Sequence, residues 1–374
     1  MGGVRKMTNS VVIGSGWHPE IFRTEAAQLI GSCKFLHAHA LECTEEQAQK
    51  LIDRSSIFVE VLSPGGSVSL ENAVTEIAEQ FLLLNLEGSV AVASTRTGNK
   101  VDGWSGRNIS GEVGALLVEA GYKIDLTNPD IQLRIHLLAP RQNPPAHPDQ
   151  FAAEPIIAWG VTKCRGDEWV KRRAPNRPFF KPVSLDPRLA RAMVNLAIPE
   201  QGKLLDPFCG TGGLLIEGIL CDIDCYGSDL AWPMVTGARE NAAWAQEIGG
   251  SGSFEIRNGS SLELGDCWDQ IFDGFAFDPP YGRNSWKSSD EDLELFEGTL
   301  LACSTVAAEQ ANLVTLIPWD PRTINKPVEY GFSFGYGWRR IEKAFFDSGW
   351  DIRSTVPIRV HGSLARLLIH AEKK

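Results

Sequence analysis

The sequence predicts an α/β protein whose carboxyl-terminal half is a doubly wound, mostly parallel sheet. Three observations predict it. From Lys203 onward, short apolar runs alternate with helical patterns, the signature of strand–helix units. Lys203-Leu-Leu-Asp-Pro-Phe-Cys-Gly-Thr-Gly-Gly213 reads as a strand ending in an acid, then a glycine-rich turn into an apolar helix. Gly274-Phe-Ala-Phe-Asp-Pro-Pro-Tyr-Gly282 reads as a later buried strand that ends in a second acid and a stiff turn.

The two turns carry chemistry. Glycines at 210, 212 and 213 let a ligand come close to the backbone. Tyr226-Gly-Ser-Asp229 ends the next strand with an acid, 23 positions after Asp206. Strand, glycine turn, helix, strand and terminal acid is a layout for holding a nucleoside with a free ribose. The turn lacks the G-x-G-x-x-G of a dinucleotide site and the lysine of a Walker A loop. In Asp278-Pro-Pro-Tyr281 the prolines stiffen the turn and free a carbonyl from ladder pairing. One carboxylate, the Pro279 carbonyl, Pro280 and the Tyr281 ring are then fixed together. That set suits a planar amine on a heterocycle, with two acceptors for its hydrogens and a ring to stack on.

Taken in order, residues 10–14 are expected as a strand, 20–30 as a helix, and 35–40 and 58–62 as strands. Thr44 and Gln47 fit a capping box for a helix to Arg54. His37 and His39 alternate on one strand and read as packing residues. Pro64-Gly-Gly66 reads as a break. A helix is expected over 70–84, a strand over 89–95, a helix over 112–120 and an alternating strand over 131–137. Five prolines between Pro140 and Pro155 mark a domain boundary. Asp186-Pro187 starts a helix to Ala197, with acid at the cap and proline at the first position. Core strands are expected near 203–206, 225–229, 254–258, 274–278, 312–317, 351–357 and 364–371. Helices should fall near 212–221, 232–247, 290–309 and 337–348. Residues 319–338, rich in glycine and aromatics, suit either a lid or a packing segment.

Composition narrows the class. With 374 residues, 43% apolar and 22% charged, the chain is globular with a full core. No apolar run approaches the ~20 residues of a membrane span, and no signal-peptide pattern opens the chain. Eight cysteines lack a CxxC pair, which favours reduced thiols, a cytoplasmic setting and no metal. The net charge of −11 is unlike that of a simple nucleic-acid binder. Residues 141–181, however, carry 8 basic and 4 acidic side chains. Lys171, Arg172 and Arg173 lead this strip, with Trp169 and Phe179-Phe180 interleaved, and a polyanion would be drawn to it. Arg96, Lys100 and Arg107 add charge to an earlier glycine-rich loop.

Asp206-Pro-Phe-Cys-Gly-Thr-Gly-Gly213 with Asp278-Pro-Pro-Tyr-Gly-Arg283 resembles the THUMP-containing, S-adenosylmethionine-dependent tRNA guanine N2-methyltransferases, the archaeal guanine-10 enzymes above all. Arg177 to Ala197, Asp125 to Ile135 and His361-Gly-Ser-Leu-Ala-Arg366 are similar to further stretches of that family. The resemblance implies a Rossmann-like, class I methyltransferase domain over 176–374. It implies an amino-terminal α/β region, ferredoxin-like plus THUMP-type, over 1–140 for binding RNA, and a linker over 141–175. It implies S-adenosylmethionine held by Asp206, Pro207, Cys209, Gly210, Thr211, Gly212 and Asp229, with Ser260 standing where the family has an acid. It implies Asp278, Pro279, Pro280 and Tyr281 at the reacting amine. It implies tRNA on Arg96, Lys100, Lys171, Arg172, Arg173 and Arg283, and is compatible with a small activator protein subunit. Adenine-N6 methylation and an RNA-binding module with a silent methyltransferase domain remain as alternatives. Cofactor binding by the carboxyl-terminal half separates the last from the others.

Overall fold

The protein is described by a computed structural model over residues 9–15, 17–140, 154–166, 168–182, 184–280 and 290–374. The chain forms two compact units. The first takes Met1–Asp53 and Ile57–Asp167, the second Arg54–Ser56 and Glu168–Lys374.

The first unit runs β1 (Asn9–Gly14), α1 (Pro19–Ile30), β2 (Lys34–His37), β3 (Ala40–Thr44), α2 (Glu45–Arg54), β4 (Phe58–Val68), α3 (Ala73–Leu82), β5 (Val90–Thr97), α4 (Gly106–Glu119), β6 (Ile131–Leu138) and β7 (Ile156–Arg165). Its sheet has the order β2-β3-β1-β4-β7-β6-β5. Only β5 and β6 pair in parallel. Thr44 and Gln47 cap α2 by reciprocal bonds, each backbone N–H donating to the other side chain at 3.0 and 3.2 Å. Phe81, Ile77, Val113, Leu117, Leu133 and Trp159 form a shared core under α3 and α4.

Three expectations change here. The single strand over 35–40 is the hairpin β2–β3. Pro64-Gly-Gly66 does not break the chain, because β4 continues through it with register shifts against β7. A Cβ on Gly65 would lie 2.7 Å from the Trp159 carbonyl, so a glycine lets the two backbones meet. The linker over 141–175 contains β7, which fills the sheet between β4 and β6. Proline density located the boundary region, but the apolar run after Pro155 has strand partners on both sides. Glu60 of β4 joins the three strands. It accepts from Arg134 and His136 of β6 at 3.1 and 2.9 Å and from Thr162 of β7 at 3.0 Å. Burial alone would push its carboxyl up, and these partners bring it down to about 2.

The second unit alternates as expected: α5 (Pro187–Ala197), β8 (Lys203–Asp206), α6 (Gly213–Ile219), β9 (Asp224–Asp229), α7 (Trp232–Glu247), β10 (Phe254–Asn258), α8 (Leu264–Cys267), β11 (Phe272–Phe277), α9 (Asp290–Thr305), β12 (Ala307–Trp319), β13 (Phe332–Ser333), β14 (Tyr336–Gly337), α10 (Trp338–Asp347), β15 (Trp350–His361) and β16 (Leu364–Lys373). The order β10-β9-β8-β11-β12-β16-β15 is parallel up to β12, and β16 runs antiparallel to both neighbours. Asp186 caps α5, accepting from the Arg188 N–H at 2.9 Å. Within 319–338, Phe334 is fully buried and its ring lies 5.5 Å from that of Phe296, so part of the segment packs on its own domain.

The basic strip is rebuilt by folding. Arg172 is buried, and its Nε and Nη2 donate to the two oxygens of Glu217 at 2.8 and 3.1 Å. Arg191 adds a third bond to Glu217 at 2.8 Å. Glu217 sits on α6 with no exposed surface, so these cations answer an internal charge. Replacing it leaves two guanidinium groups uncompensated. Glu217→Ala should cost about 3–5 kcal/mol, the scale for breaking a buried pair. Urea unfolding followed by tryptophan fluorescence checks this, and a loss below about 1 kcal/mol would show that the arginines find other partners.

Candidate active site

The carboxyl ends of β8, β9 and β11 bring the predicted acids together. Side chains alternate along a strand, and residues paired across strands share a face. Gly274 pairs with Leu204, and Asp206 with Gly227. Counting two residues on from these pairs puts Asp206, Asp229 and Asp278 on one face of the sheet, at its carboxyl edge.

Each acid has a different setting. Asp206 is buried and accepts the Phe208 N–H at 3.0 Å. Burial pushes its pKa well above the carboxylate range, and the charges of Asp229 and Asp278 add to the rise. Asp229 is half-buried. One of its oxygens accepts the Gly210 N–H at 3.0 Å and the other the Ala231 N–H at 2.8 Å. It therefore fastens the glycine turn while lone pairs stay available. Asp278 follows the last residue of β11, with Pro279 buried and Pro280 exposed. Its Oδ1 is buried without a hydrogen-bond partner among the described residues. Burial raises its pKa, and the nearby Arg366 guanidinium opposes the rise.

The turn between β8 and α6 is tight. Gly212 has φ +75°, and its N–H donates to the Cys209 carbonyl at 2.7 Å. Pro207 and Cys209 lie buried beneath it, while Thr211 is half-buried. Asn241 of α7 donates to the Thr211 carbonyl at 2.8 Å and to the Phe179 carbonyl at 2.6 Å. It also accepts the Phe179 N–H at 3.0 Å. The end of the expected linker is thus clamped to the glycine turn, a placement the sequence reading missed. A Cβ on Gly237 would fall 2.0 Å from the Phe179 ring, so this helix face had to stay bare.

Two further residues escaped the sequence reading. Leu230 and Trp232 follow Asp229 and are 75% and 60% exposed, an apolar ledge beside this acid. Their signal was an exposed apolar pair next to a strand-end acid. After β10, Asn258 donates to the carbonyls of Asp229 and Leu230, both at 2.9 Å. Ser260 Oγ accepts the Leu262 N–H at 3.2 Å, and Ser261 bonds Thr299 in the interior. No acid stands at this strand end, so Ser260 is half-buried and engaged in its own turn.

The expected tRNA contacts separate. Arg172 leaves the surface, because Glu217 claims it. Lys171 stays exposed beside Glu168, and Arg173 lies over the Trp169 ring at 4.6 Å, with Arg188 at 3.9 Å. Trp169 is therefore covered by cations. In the first unit, Arg96 and Lys100 line a cavity of about 310 Å³ with Trp104 and Ser105. Tyr281 and Arg283 lie outside the described residues. Among the described residues no cluster of histidine, cysteine, aspartate or glutamate could hold a metal, and no helix is long and apolar enough to cross a membrane.

The donor set fits a nucleoside carrying a positive charge. Three acids share the face, Asp229 keeps lone pairs available at its strand end, and the glycine turn lets the backbone be approached. Residues 175–324 match a family model described as an RMKL-like methyltransferase domain. The chain is 30% identical over 227 residues to a tRNA (guanine(10)-N2)-dimethyltransferase of Pyrococcus abyssi, covering 60% of this chain and 62% of the relative. It is 29% identical to the protein of that name from Methanothermobacter thermautotrophicus, covering 70% and 67%. A probable enzyme of the same name from Methanothermococcus thermolithotrophicus is 38% identical over 110 residues, which cover 28% of this chain and 68% of the relative. The match thus spans about two thirds of the length of these relatives. The crystal structure of TrmN from Thermus thermophilus shares the fold, with TM-score 0.51 and 18% identity over 98% of this chain and all of that one.

Asp206 generates a pH prediction. Its folded pKa is raised, so at neutral pH folding must neutralise or strand a carboxylate that is ionised in the unfolded chain. That cost is absent below the unfolded value of about 3.9 and grows as pH climbs toward the folded pKa. Asp206→Asn should therefore gain thermal stability over the wild type as pH rises from about 4 to 7. A constant difference across that range would mean Asp206 titrates normally.

Proposed function

Because the chain belongs to the family of tRNA (guanine(10)-N2)-dimethyltransferases, we propose that it methylates the exocyclic N2 of a guanosine in tRNA, position 10, with S-adenosylmethionine as donor. The carrying observation is the buried, unpartnered Oδ1 of Asp278 on the same sheet face as Asp206 and Asp229. When bound, the cofactor supplies an electrophilic methyl group on a cationic sulfur. The residues do the rest. Asp206 and Asp229 offer negative charge to the cation, and Asp229 the hydroxyl contacts. Leu230 and Trp232 cover the adenine. Asp278 and the Pro279 carbonyl accept the two amine hydrogens of guanine, which frees the N2 lone pair from the ring. Asp278 would take up the proton that N2 loses on accepting the methyl group, for which the bound donor would supply the leaving sulfur. After one transfer a single N–H remains, and one of the two acceptors still serves it. This accords with the dimethyl product in the relatives' names.

Most of the acceleration should come from positioning. A base in a helical stem must flip out to be reached, and Tyr281 is the proposed stacking surface. The first unit, with Arg96 and Lys100 at its cavity, is proposed as the RNA-holding part. Lys171 and Arg173 remain as surface cations on the approach to the catalytic unit. The protein would then be a cytoplasmic tRNA enzyme.

Mass spectrometry of nucleosides from tRNA incubated with enzyme and isotope-labelled cofactor tests the reading. Labelled N2-methylated guanosine is expected. Asp278→Ala should abolish it while cofactor affinity stays within a few-fold, because the lost acceptor matters most in the transition state. Label on adenine N6, or in no nucleoside, would overturn the proposal.

The surface charges give a separate test. Lys171→Glu with Arg173→Glu should weaken tRNA binding and flatten its salt dependence by up to about 0.9 per lost phosphate contact. Cofactor affinity should not move. An unchanged salt slope would place the RNA grip elsewhere.

A further inference from the structure

The sheet face that carries the three acids also carries one arginine, from a strand that runs the opposite way. Ala276 of β11 pairs with Val314 of β12, so Leu316 and Pro318 continue the face of Ala276 and Asp278. Pro318 pairs with Arg366 of β16. Arg366 therefore projects on the face of Asp278, two strands away. Across the strands the two backbones lie about 10 Å apart at the usual spacing, and Arg366 stands level with a point two residues beyond Asp278. The antiparallel run of β16 delivers the start of this strand to the edge where the parallel strands end. Arg366 is half-buried, and its guanidinium is the neighbouring charge that pulls the Asp278 carboxyl back toward ionisation.

We propose that Arg366 is the positioning residue of the reaction: its guanidinium is the counter-charge that keeps the Asp278 carboxylate ionised and aimed at the acceptor amine. The inference rests on the methyltransferase reading for its consequence, but the Arg366–Asp278 coupling stands without it. A dry carboxylate with an unpartnered oxygen tends to take up a proton, and a protonated acid is a poorer acceptor. Among the described residues, the other groups on this face do not supply a counter-charge. Asp206 of β8 and Asp229 of β9 are themselves acidic. His370 of β16 bonds Asn312 of β12 at 2.9 Å, and burial holds its pKa down at about 4, so it is neutral. After β12, Asp320 is occupied by Arg322 at 2.7 Å. Arg366 acts through Asp278 and makes no contact of its own with the substrate amine.

Two variants and two measurements test this. Arg366→Gln should lower kcat at neutral pH about tenfold or more, part of the 10²–10⁴ that a positioned acid–base group contributes. The acidic limb of its kcat profile should move to higher pH. Arg366→Lys keeps the charge and should restore most of the rate. KM for tRNA and cofactor affinity should stay within about twofold, since ground-state binding is untouched. Independently, carbon NMR of aspartate-labelled protein, with the Asp278 signal assigned through Asp278→Asn, should show this carboxyl titrating at higher pH in Arg366→Gln than in the wild type. Unmoved Asp278 titration overturns the proposal whatever the activity. Gln and Lys variants equally impaired with the wild-type pH profile would reveal a packing role and also overturn it. A wild type that methylates no RNA, with the NMR shift present, would instead overturn the substrate reading and leave the charge pairing intact.

Discussion

The structure depends on an arrangement that is unfavourable by itself: three carboxylates on one face of a sheet, at an edge with little water. Asp206 is buried, and the charges of Asp229 and Asp278 push its pKa further up. Each unit of such a shift corresponds to about 1.4 kcal/mol against the ionised form. Protonation of a buried acid or a nearby cation offsets it. Parallel strands bring the arrangement about readily, because β8, β9 and β11 all end at one edge and Asp206, Asp229 and Asp278 share one face there. Core burial over the rest of the sheet holds the strands there. Asp229 has its own compensation, since two backbone N–H groups donate to it.

The second constraint is the buried carboxylate of Glu217 on the helix that leaves the glycine turn. It takes Arg172 from the segment before the domain and Arg191 from α5. Asn241 then ties Phe179 to Thr211. A stretch that looks like a charged linker is therefore built into the glycine turn. This also explains why the excess of positive charge over 141–181 is not all at the surface. Part of it neutralises the interior, and Trp169, read as a stacking ring, is covered by Arg173 and Arg188.

What was legible in the sequence had local causes. Asp186-Pro187, the Thr44–Gln47 box and the alternation of the core strands follow from capping and periodicity, and they appear where expected. The strand ends at Asp206, Asp229 and Asp278 were legible because acid, glycine and proline punctuate them. What was not legible depended on distant partners. Proline density around Ile156–Arg165 masked its short apolar run, and its place in the sheet comes from pairing with β4 and β6. Arg172 looks like Lys171 until Glu217 is placed beside it. Arg366 belongs to a motif that the reading noted without a role, and only the register of β11, β12 and β16 puts it on the face of Asp278.

That register also gives the face a direction. From β9 to β16 the charged residues run Asp229, Asp206, Asp278 and then Arg366. Methyl transfer from a cationic donor moves one positive charge from the donor atom to the accepting nitrogen before the proton leaves. In the proposed reaction, with the nucleoside end at Asp229 and the amine at Asp278, the charge would travel along the row of acids. Asp278 meets it at the end, where a carboxylate is worth most if it is already ionised and already pointed. A cation behind that carboxylate secures both, and its place on the far side of β12 keeps it from repelling the charge that arrives. The antiparallel last strand, an exception in an otherwise parallel sheet, is what allows a side chain from the chain's end to stand there.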